Sequence, residues 1–330
     1  MIAGRRVALN LVAGVLLPLP SFAQQPDRVR SVGFLATRSR PTSANPDVYY
    51  DAFVQGMREF GYVVGKNLII EWRYAEGRYE RLPALASELV QLRVDVLMAN
   101  VTSGVQALQQ ATNAIPIVFG GLNDPVGNGV VTSLARPGGN VTGTSIMTSD
   151  ISSKYIELLK AMVPKLSRVA VLLNPGNPSY TPVLNGIRAV APQVGIKLLE
   201  LGARTPEDIE RSFSTMTHER TGAMIVINDG FFIGQRRQLA DLAIKSRMPA
   251  IFAFPEHVTA GGLMSYGPNL VDSYRRMASY ADRIFKGAMP GDLPIEQPTN
   301  FELVINMRTA KALDIEVPRS ILVQVTKVIE

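Results

Sequence analysis

Tyr79-Glu80-Arg81-Leu82-Pro83-Ala84-Leu85-Ala86-Ser87-Glu88-Leu89-Val90-Gln91-Leu92-Arg93-Val94-Asp95-Val96-Leu97-Met98-Ala99 holds the unit from which the fold is built. Leu82, Leu85, Ala86, Leu89 and Val90 recur at i, i+3, i+4, i+7 and i+8, the spacing of one helix face. After Arg93 the chain runs into a short apolar stretch, 94–99, as a strand covered by helices on both faces would. The same alternation extends outward. Strands are expected over residues 31–36, 67–74, 94–99, 115–119 and 141–145, with helices over 48–60, 79–92 and 103–112 between them. A loop-rich stretch, 120–140, carries six Gly and two Pro. Beyond it come helices over 152–163, 181–194, 206–217 and 234–246, and strands over 168–173, 197–201, 223–227 and 250–254. Thr205-Pro206-Glu207-Asp208 opens its helix with a capping Thr, a first-turn Pro and two acids at the positive end of the dipole. The tail differs. Tyr266-Gly267-Pro268-Asn269 breaks the chain, 270–285 is helical, and 287–298 is a Gly/Pro connector. A short strand, 301–305, a helix, 308–313, and an extended segment, 321–329, follow. Strand–helix alternation predicts α/β architecture: two doubly wound lobes with parallel sheets and right-handed crossovers, with a cleft and hinge between them.

A chain of 330 residues fits two domains at about 100–200 residues each. With 46% hydrophobic and 19% charged residues, disorder, collagen and coiled coil are excluded. There is no Cys, which removes disulfides, thiolate metal sites, iron–sulfur clusters and a cysteine nucleophile. His218 and His257 are the only histidines, too few for a multi-His metal site. The net charge of +6 includes two Arg in the first 23 residues; the remainder holds 32 basic and 28 acidic residues with no basic run longer than Arg-Arg. A nucleic-acid binder would gather its basic charge on one face, so no nucleic-acid partner is expected.

Residues 1–23 have the form of a secretory signal. Arg5 and Arg6 make the positive region, 7–17 the apolar region, and Ser21-Phe22-Ala23 the small-residue cleavage site before Gln24. The apolar run is too short to span about 30 Å of hydrocarbon. The expected location is the periplasm, after cleavage at about Ala23.

Catalytic motifs fail on inspection. Gly61-Tyr62-Val63-Val64-Gly65-Lys66-Asn67 has one residue too few for a phosphate loop, and Asn where Ser or Thr should stand. Gly127-Asn128-Gly129 lacks the third glycine of a dinucleotide site, and Gly143-Thr144-Ser145 is not a nucleophile elbow. Glu256-His257 is one acid/base pair without nucleophile or metal, read as a loop histidine on a solvated rim. No catalytic residue, metal or cofactor is expected.

What remains is a set of polar loops after parallel strands, where open α/β sheets bind ligands. In the first lobe they hold Thr37, Asn100, Thr102, Ser103, Gly120, Gly121 and Asp124. In the second they hold Asn174, Asn177, Asn228, Asp229 and Glu256. Thr102 or Ser103 opens a helix and can hold a carboxylate with its amides. Asp229 follows a buried strand and can pair with an ammonium. Tyr49, Tyr50, Phe231, Phe232 and Phe254 supply apolar walls.

Several longer stretches carry a resemblance. Ile115-Pro116-Ile117-Val118-Phe119, Asp124-Pro125-Val126-Gly127 and Leu134-Ala135-Arg136-Pro137-Gly138-Gly139-Asn140-Val141-Thr142-Gly143 closely resemble the ABC transporter substrate-binding protein family that includes tryptophan- and phenylalanine-binding members. The likeness continues in Ser167-Arg168-Val169-Ala170-Val171-Leu172, Gly261-Gly262-Leu263-Met264-Ser265-Tyr266-Gly267 and Gln297-Pro298-Thr299-Asn300-Phe301-Glu302-Leu303-Val304-Ile305-Asn306, in order over nearly the whole mature chain. It implies a type I periplasmic-binding-protein fold with three interlobe crossings. Lobe one would be 27–145 plus 267–296, and lobe two 146–266 plus 297–330. It also implies capture of a small ligand and its delivery to an inner-membrane ABC permease driven by a cytoplasmic ATPase, by a protein expected to be a monomer. In amino-acid binders of this fold, first-lobe Ser/Thr groups and amides hold the carboxylate and a second-lobe acid the ammonium. The matching positions are Thr102, Ser103, Gly121 and Asp229. Two alternatives stay open: a periplasmic ligand-sensing module for a membrane receptor, and an exported hydrolase using Glu256, His257 or Asp229.

Overall fold

The computed structural model describes residues 28–43, 46–148 and 151–330; the expected signal segment lies outside them. The first half builds β1 (Arg30–Ala36), α1 (Val48–Glu59), β2 (Leu68–Tyr74), α2 (Leu82–Gln91), β3 (Val96–Ala99), α3 (Thr102–Ala111), β4 (Ile117–Leu122) and β5 (Val141–Ser145). Its five strands form one parallel sheet in the order β2-β1-β3-β4-β5. The periodicity explains its helices: Leu82, Leu85, Ala86 and Leu89 are the buried face of α2.

The second half continues with α4 (Ser152–Met162), β6 (Arg168–Leu173), α5 (Tyr180–Val190), β7 (Lys197–Gly202), α6 (Pro206–His218), β8 (Ala223–Val226), α7 (Gly230–Gly234), α8 (Arg236–Lys245), β9 (Ala250–Phe252), α9 (Pro255–Thr259) and β10 (Met264–Pro268). The chain ends in α10 (Leu270–Phe285), β11 (Phe301–Asn306), α11 (Met307–Ala312), α12 (Arg319–Leu322) and β12 (Lys327–Ile329). These strands form a seven-stranded sheet, β12-β11-β10-β9-β8-β6-β7. At α6, Thr205 and Asp208 form the reciprocal capping box that the sequence announced.

Three features differ from the sequence reading. Residues 264–268 are a strand, not a break, because β10 pairs on both sides, with β9 and β11. The β10–β11 pair is antiparallel. The reason lies in α10: it leaves the second sheet and packs on α1, β4 and β5 of the first, so the chain returns to its sheet from the opposite end. The expected extended segment at 321–329 divides into the end of α12 and the short β12. The chain therefore passes between lobes after β5, after β10 and again before β11.

The α1–α10 contact is close because Gly56 has no side chain. A Cβ there would lie 2.9 Å from Ala278 Cβ and 3.1 Å from the Arg275 carbonyl oxygen. Gly56→Leu is expected to prise the helices apart and cost about 1–3 kcal/mol, read as a Tm several degrees lower; an unchanged Tm would contradict the packing described.

Candidate functional site

The C-terminal ends of β1, β3 and β4 in one lobe face those of β6 and β8 in the other. At their junction lies Asp229, 3% exposed. It is the N-cap of α7, accepting from the Phe231 amide at 2.9 Å. It also accepts from Asn174 Nδ2 at 2.9 Å, Asn177 Nδ2 at 2.8 Å and Tyr79 Oη at 2.7 Å. Burial pushes the Asp229 carboxyl up, and the donors, Asn174 first, pull it back. Burial and then Asp229 push the Tyr79 hydroxyl well above its usual range, so it stays a donor.

Tyr79 belongs to the first lobe, so its bond to Asp229 ties the lobes together. A second tie runs from Ser179 Oγ to Thr102 Oγ1 at the start of α3. Between the ties are two voids of about 20 Å³ each, room for about one water. Asn100, Gly121, Asn177 and Asn228 line both. Asn100 Oδ1 and Ser103 Oγ are buried without a hydrogen-bond partner among the described residues. Buried polar atoms are normally paired, so orphans gathered at one cleft mark a place for a polar guest.

Arg38, 5% exposed, stands between one void and a larger chamber of about 520 Å³. Its guanidinium lies 4.7 Å from the ring centres of both Tyr49 and Tyr50, donates to Tyr274 Oη at 3.0 Å, and approaches Asp47 at 3.1 Å. Asp47 in turn caps α1 by accepting from the Tyr49 and Tyr50 amides. Tyr49 and Glu256 line the chamber from opposite lobes. Burial pushes the Glu256 carboxyl up, and Tyr49, Arg38 and Arg236 counter it.

The structure thus gathers Thr37, Asn100, Thr102, Ser103, Gly121, Asn174, Asn177, Asn228 and Asp229 at the cleft, with Glu256 at its side chamber. Four expected residues lie elsewhere or are already engaged. Gly120 is inside β4, where a Cβ would meet Met277 Sδ at 2.3 Å; β4 runs three residues further than its apolar run suggested, because it keeps pairing with β5 across a register shift. Asp124 caps its own turn by accepting from the Gly127 amide. Phe254 is fully buried in the core cluster beneath α10. Tyr50 is buried in the same cluster, its ring under Arg38. The Gly121 amide, expected to be free for a carboxylate, donates to Thr144 Oγ1 at 2.9 Å. Tyr79, Ser179 and Tyr274 stand at the cleft without any signal in the sequence reading. Arg38 sits in a loop that the strand pattern identified, but nothing in the sequence brings α10 and its Tyr274 there.

His257 corrects the solvated-rim reading. It is 3% exposed and stacks on Phe252 at 4.5 Å between ring centres. Among the described residues no group of three or more acids or histidines can hold a metal.

Two α/β lobes touching across a polar cleft define a two-lobed solute-binding protein of the type I periplasmic-binding-protein fold. Residues 44–329 match the model of the ABC transporter substrate binding protein family, and the chain belongs to that family. It is 27% identical over 264 residues to a tyrosine-binding protein of Clostridioides difficile, covering 80% of this chain and 76% of that one. It resembles the L-Trp complex of an ABC domain from Streptococcus pneumonia at 25% identity, with a TM-score of 0.82 over 91% of this chain and 99% of that one. Against the ligand-free, open structure of a Clostridium difficile substrate-binding protein with adhesive properties, identity is also 25%, with the same coverages, but the TM-score is 0.62. At equal identity the better match is the complex, as touching lobes require. No helix among the described residues is long and apolar enough to cross a membrane.

Burial pushes His257 down to about 4. The unfolded chain, with an ordinary histidine near 6.5, binds the extra proton between those values, so stability falls as pH drops through that window. The full loss is up to about 3 kcal/mol. Urea unfolding at pH 7 and pH 4.5 should show a steeper decline for the native chain than for His257→Phe; parallel declines would refute the assignment.

Proposed function

We propose that this protein is the solute-capturing component of an ABC importer, and that its ligand is an amino acid with a large apolar or aromatic side chain. The observation that carries the reading is Asp229, a buried carboxylate shared between the lobes and surrounded by orphaned polar atoms. A ligand ammonium is the natural substitute for the Tyr79 donor when the lobes part. On the opposite wall, the start of α3 with Thr102 and Ser103, together with Asn100, suits a carboxylate. The tyrosine-binding relative and the L-Trp complex support the same ligand class. The central voids are too small for an amino acid, so entry requires opening of the Tyr79–Asp229 and Ser179–Thr102 ties. Closure over the guest then creates the form a membrane permease reads. The apolar, Arg-led N-terminal segment supports export to the periplasm, where such capture is useful.

A thermal-shift screen against the amino acids should identify a stabilising ligand, since about 100 times the dissociation constant adds about 2.7 kcal/mol. Asp229→Asn should weaken that ligand by about tenfold or more in calorimetry, the value of a charge-assisted hydrogen bond. No stabilisation by any amino acid, or unchanged affinity in the variant, would refute the reading.

A further inference from the structure

We infer that two bonds of one kind between the lobes act differently on solute binding: Tyr79 on Asp229 holds the place of the solute's ammonium and competes with it, whereas Tyr49 on Glu256 is a latch that re-forms around the bound solute. The inference rests on the amino-acid reading of the cleft. It adds which residue opposes the solute and which pair secures it.

The two bonds are alike in chemistry. In each, a tyrosine of the first lobe gives its O–H to a carboxylate of the second. Tyr79 Oη donates to Asp229 Oδ2 at 2.7 Å, and Tyr49 Oη donates to the Glu256 carboxylate. Tyr49 is 1% exposed and Asp229 3%. Burial, and then the facing acid, pushes both hydroxyls well above their usual range, so both stay donors. Each phenol is also set from behind. Thr37 donates to the Tyr79 hydroxyl, which leaves the phenol proton for Asp229. The Tyr49 ring lies 4.7 Å from the Arg38 guanidinium and stacks on Tyr274 at 5.3 Å.

They differ in place. Asp229 borders a central void, whereas Tyr49 and Glu256 border the chamber of about 520 Å³ and neither void. Arg38 and Ile233 line both spaces and stand between the two bonds. At Asp229 an ammonium needs a position that a donor now fills. Asn174, Asn177 and the Phe231 amide belong to the acid's own lobe and hold its loops and the cap of α7. Tyr79 is the donor that can leave without disturbing them. The Tyr49–Glu256 bond opens to admit the solute, but nothing at the voids keeps it from closing again. Closure without solute therefore makes both bonds, and closure over solute makes the second alone. A contact made only in the competing form lowers the apparent affinity, and a contact made in the complex supports it. If both bonds favour closure equally, losing either one opens the solute-free protein to the same extent. Only loss of the Tyr49 bond also weakens the complex. The ratio of affinities between the two variants then equals the worth of that bond, whatever fraction of the native protein is closed.

Calorimetry on the full chain with L-tyrosine, L-tryptophan, L-phenylalanine and L-leucine tests this. Both tyrosines are changed to Phe, which keeps each ring and removes only the hydroxyl. For whichever of the four binds, Tyr79→Phe should bind at least as tightly as the native protein and about tenfold or more tighter than Tyr49→Phe. Glu256→Leu should weaken binding as Tyr49→Phe does, and Glu256→Gln, which keeps an acceptor, should weaken it less. Combining Tyr49→Phe with Glu256→Leu should cost no more than about twofold beyond either alone, because the two changes remove one bond. Equal affinities in Tyr79→Phe and Tyr49→Phe, the reverse order, or full additivity of Tyr49→Phe with Glu256→Leu overturns the inference while leaving the amino-acid reading in place. If the native protein binds none of the four, the amino-acid reading fails and the competition at Asp229 falls with it.

Discussion

A carboxylate taken out of water must find donors, and everything at the cleft is arranged around that need at Asp229. Three of its four donors belong to its own lobe: Asn174 and Asn177 after β6, and the Phe231 amide of α7. These hold the second-lobe loops in one arrangement. The fourth, Tyr79, comes from the other lobe. Hydrogen bonds to charged groups contribute about 1.5–3 kcal/mol each, and a donor on a separate body can be exchanged without disturbing the rest. The lobe that carries the acid is pre-organised, while its tie to the other lobe through Tyr79 is a bond that water or a guest can take over. A small difference between open and closed forms is what lets binding shift the population.

The opposite wall depends on a different constraint. Helix α10 stands between two strands of the second sheet but packs on the first. That excursion delivers Tyr274 to Arg38, and Arg38 then sits over Tyr49 and Tyr50. Behind them Trp72 lies 4.7 Å from Tyr50 and 4.7 Å from Phe34. The cation is thus backed by an aromatic core and forms an ion pair with Asp47. Buried charge held this way keeps its geometry, which a site meant to discriminate between similar ligands requires.

Much of this was legible in advance. Apolar spacing places α2 and its neighbours, because a helix between sheet and solvent must keep one face dry. Fully covered strands read as apolar runs for the same reason. The polar loops after those strands include most residues now found at the cleft. The misreadings share a cause. Gly267 and Pro268 look like a chain break, yet they pair with Glu302 and Phe301. Gly120 looks like a loop residue, yet its missing side chain accommodates Met277. His257 looks solvated, yet it is stacked on Phe252. In each case a distant segment determines the environment, and local composition carries no record of it.

The order of strands and helices, the two-lobed α/β plan and the candidate acid Asp229 follow from the chain read alone, since they depend on neighbours a few residues apart. Which donors satisfy that acid, that Tyr79 and Ser179 tie the lobes, and that Arg38 stands between void and chamber were decided by the tertiary structure. Those contacts join residues up to 236 positions apart, and only folding brings such groups within hydrogen-bonding distance.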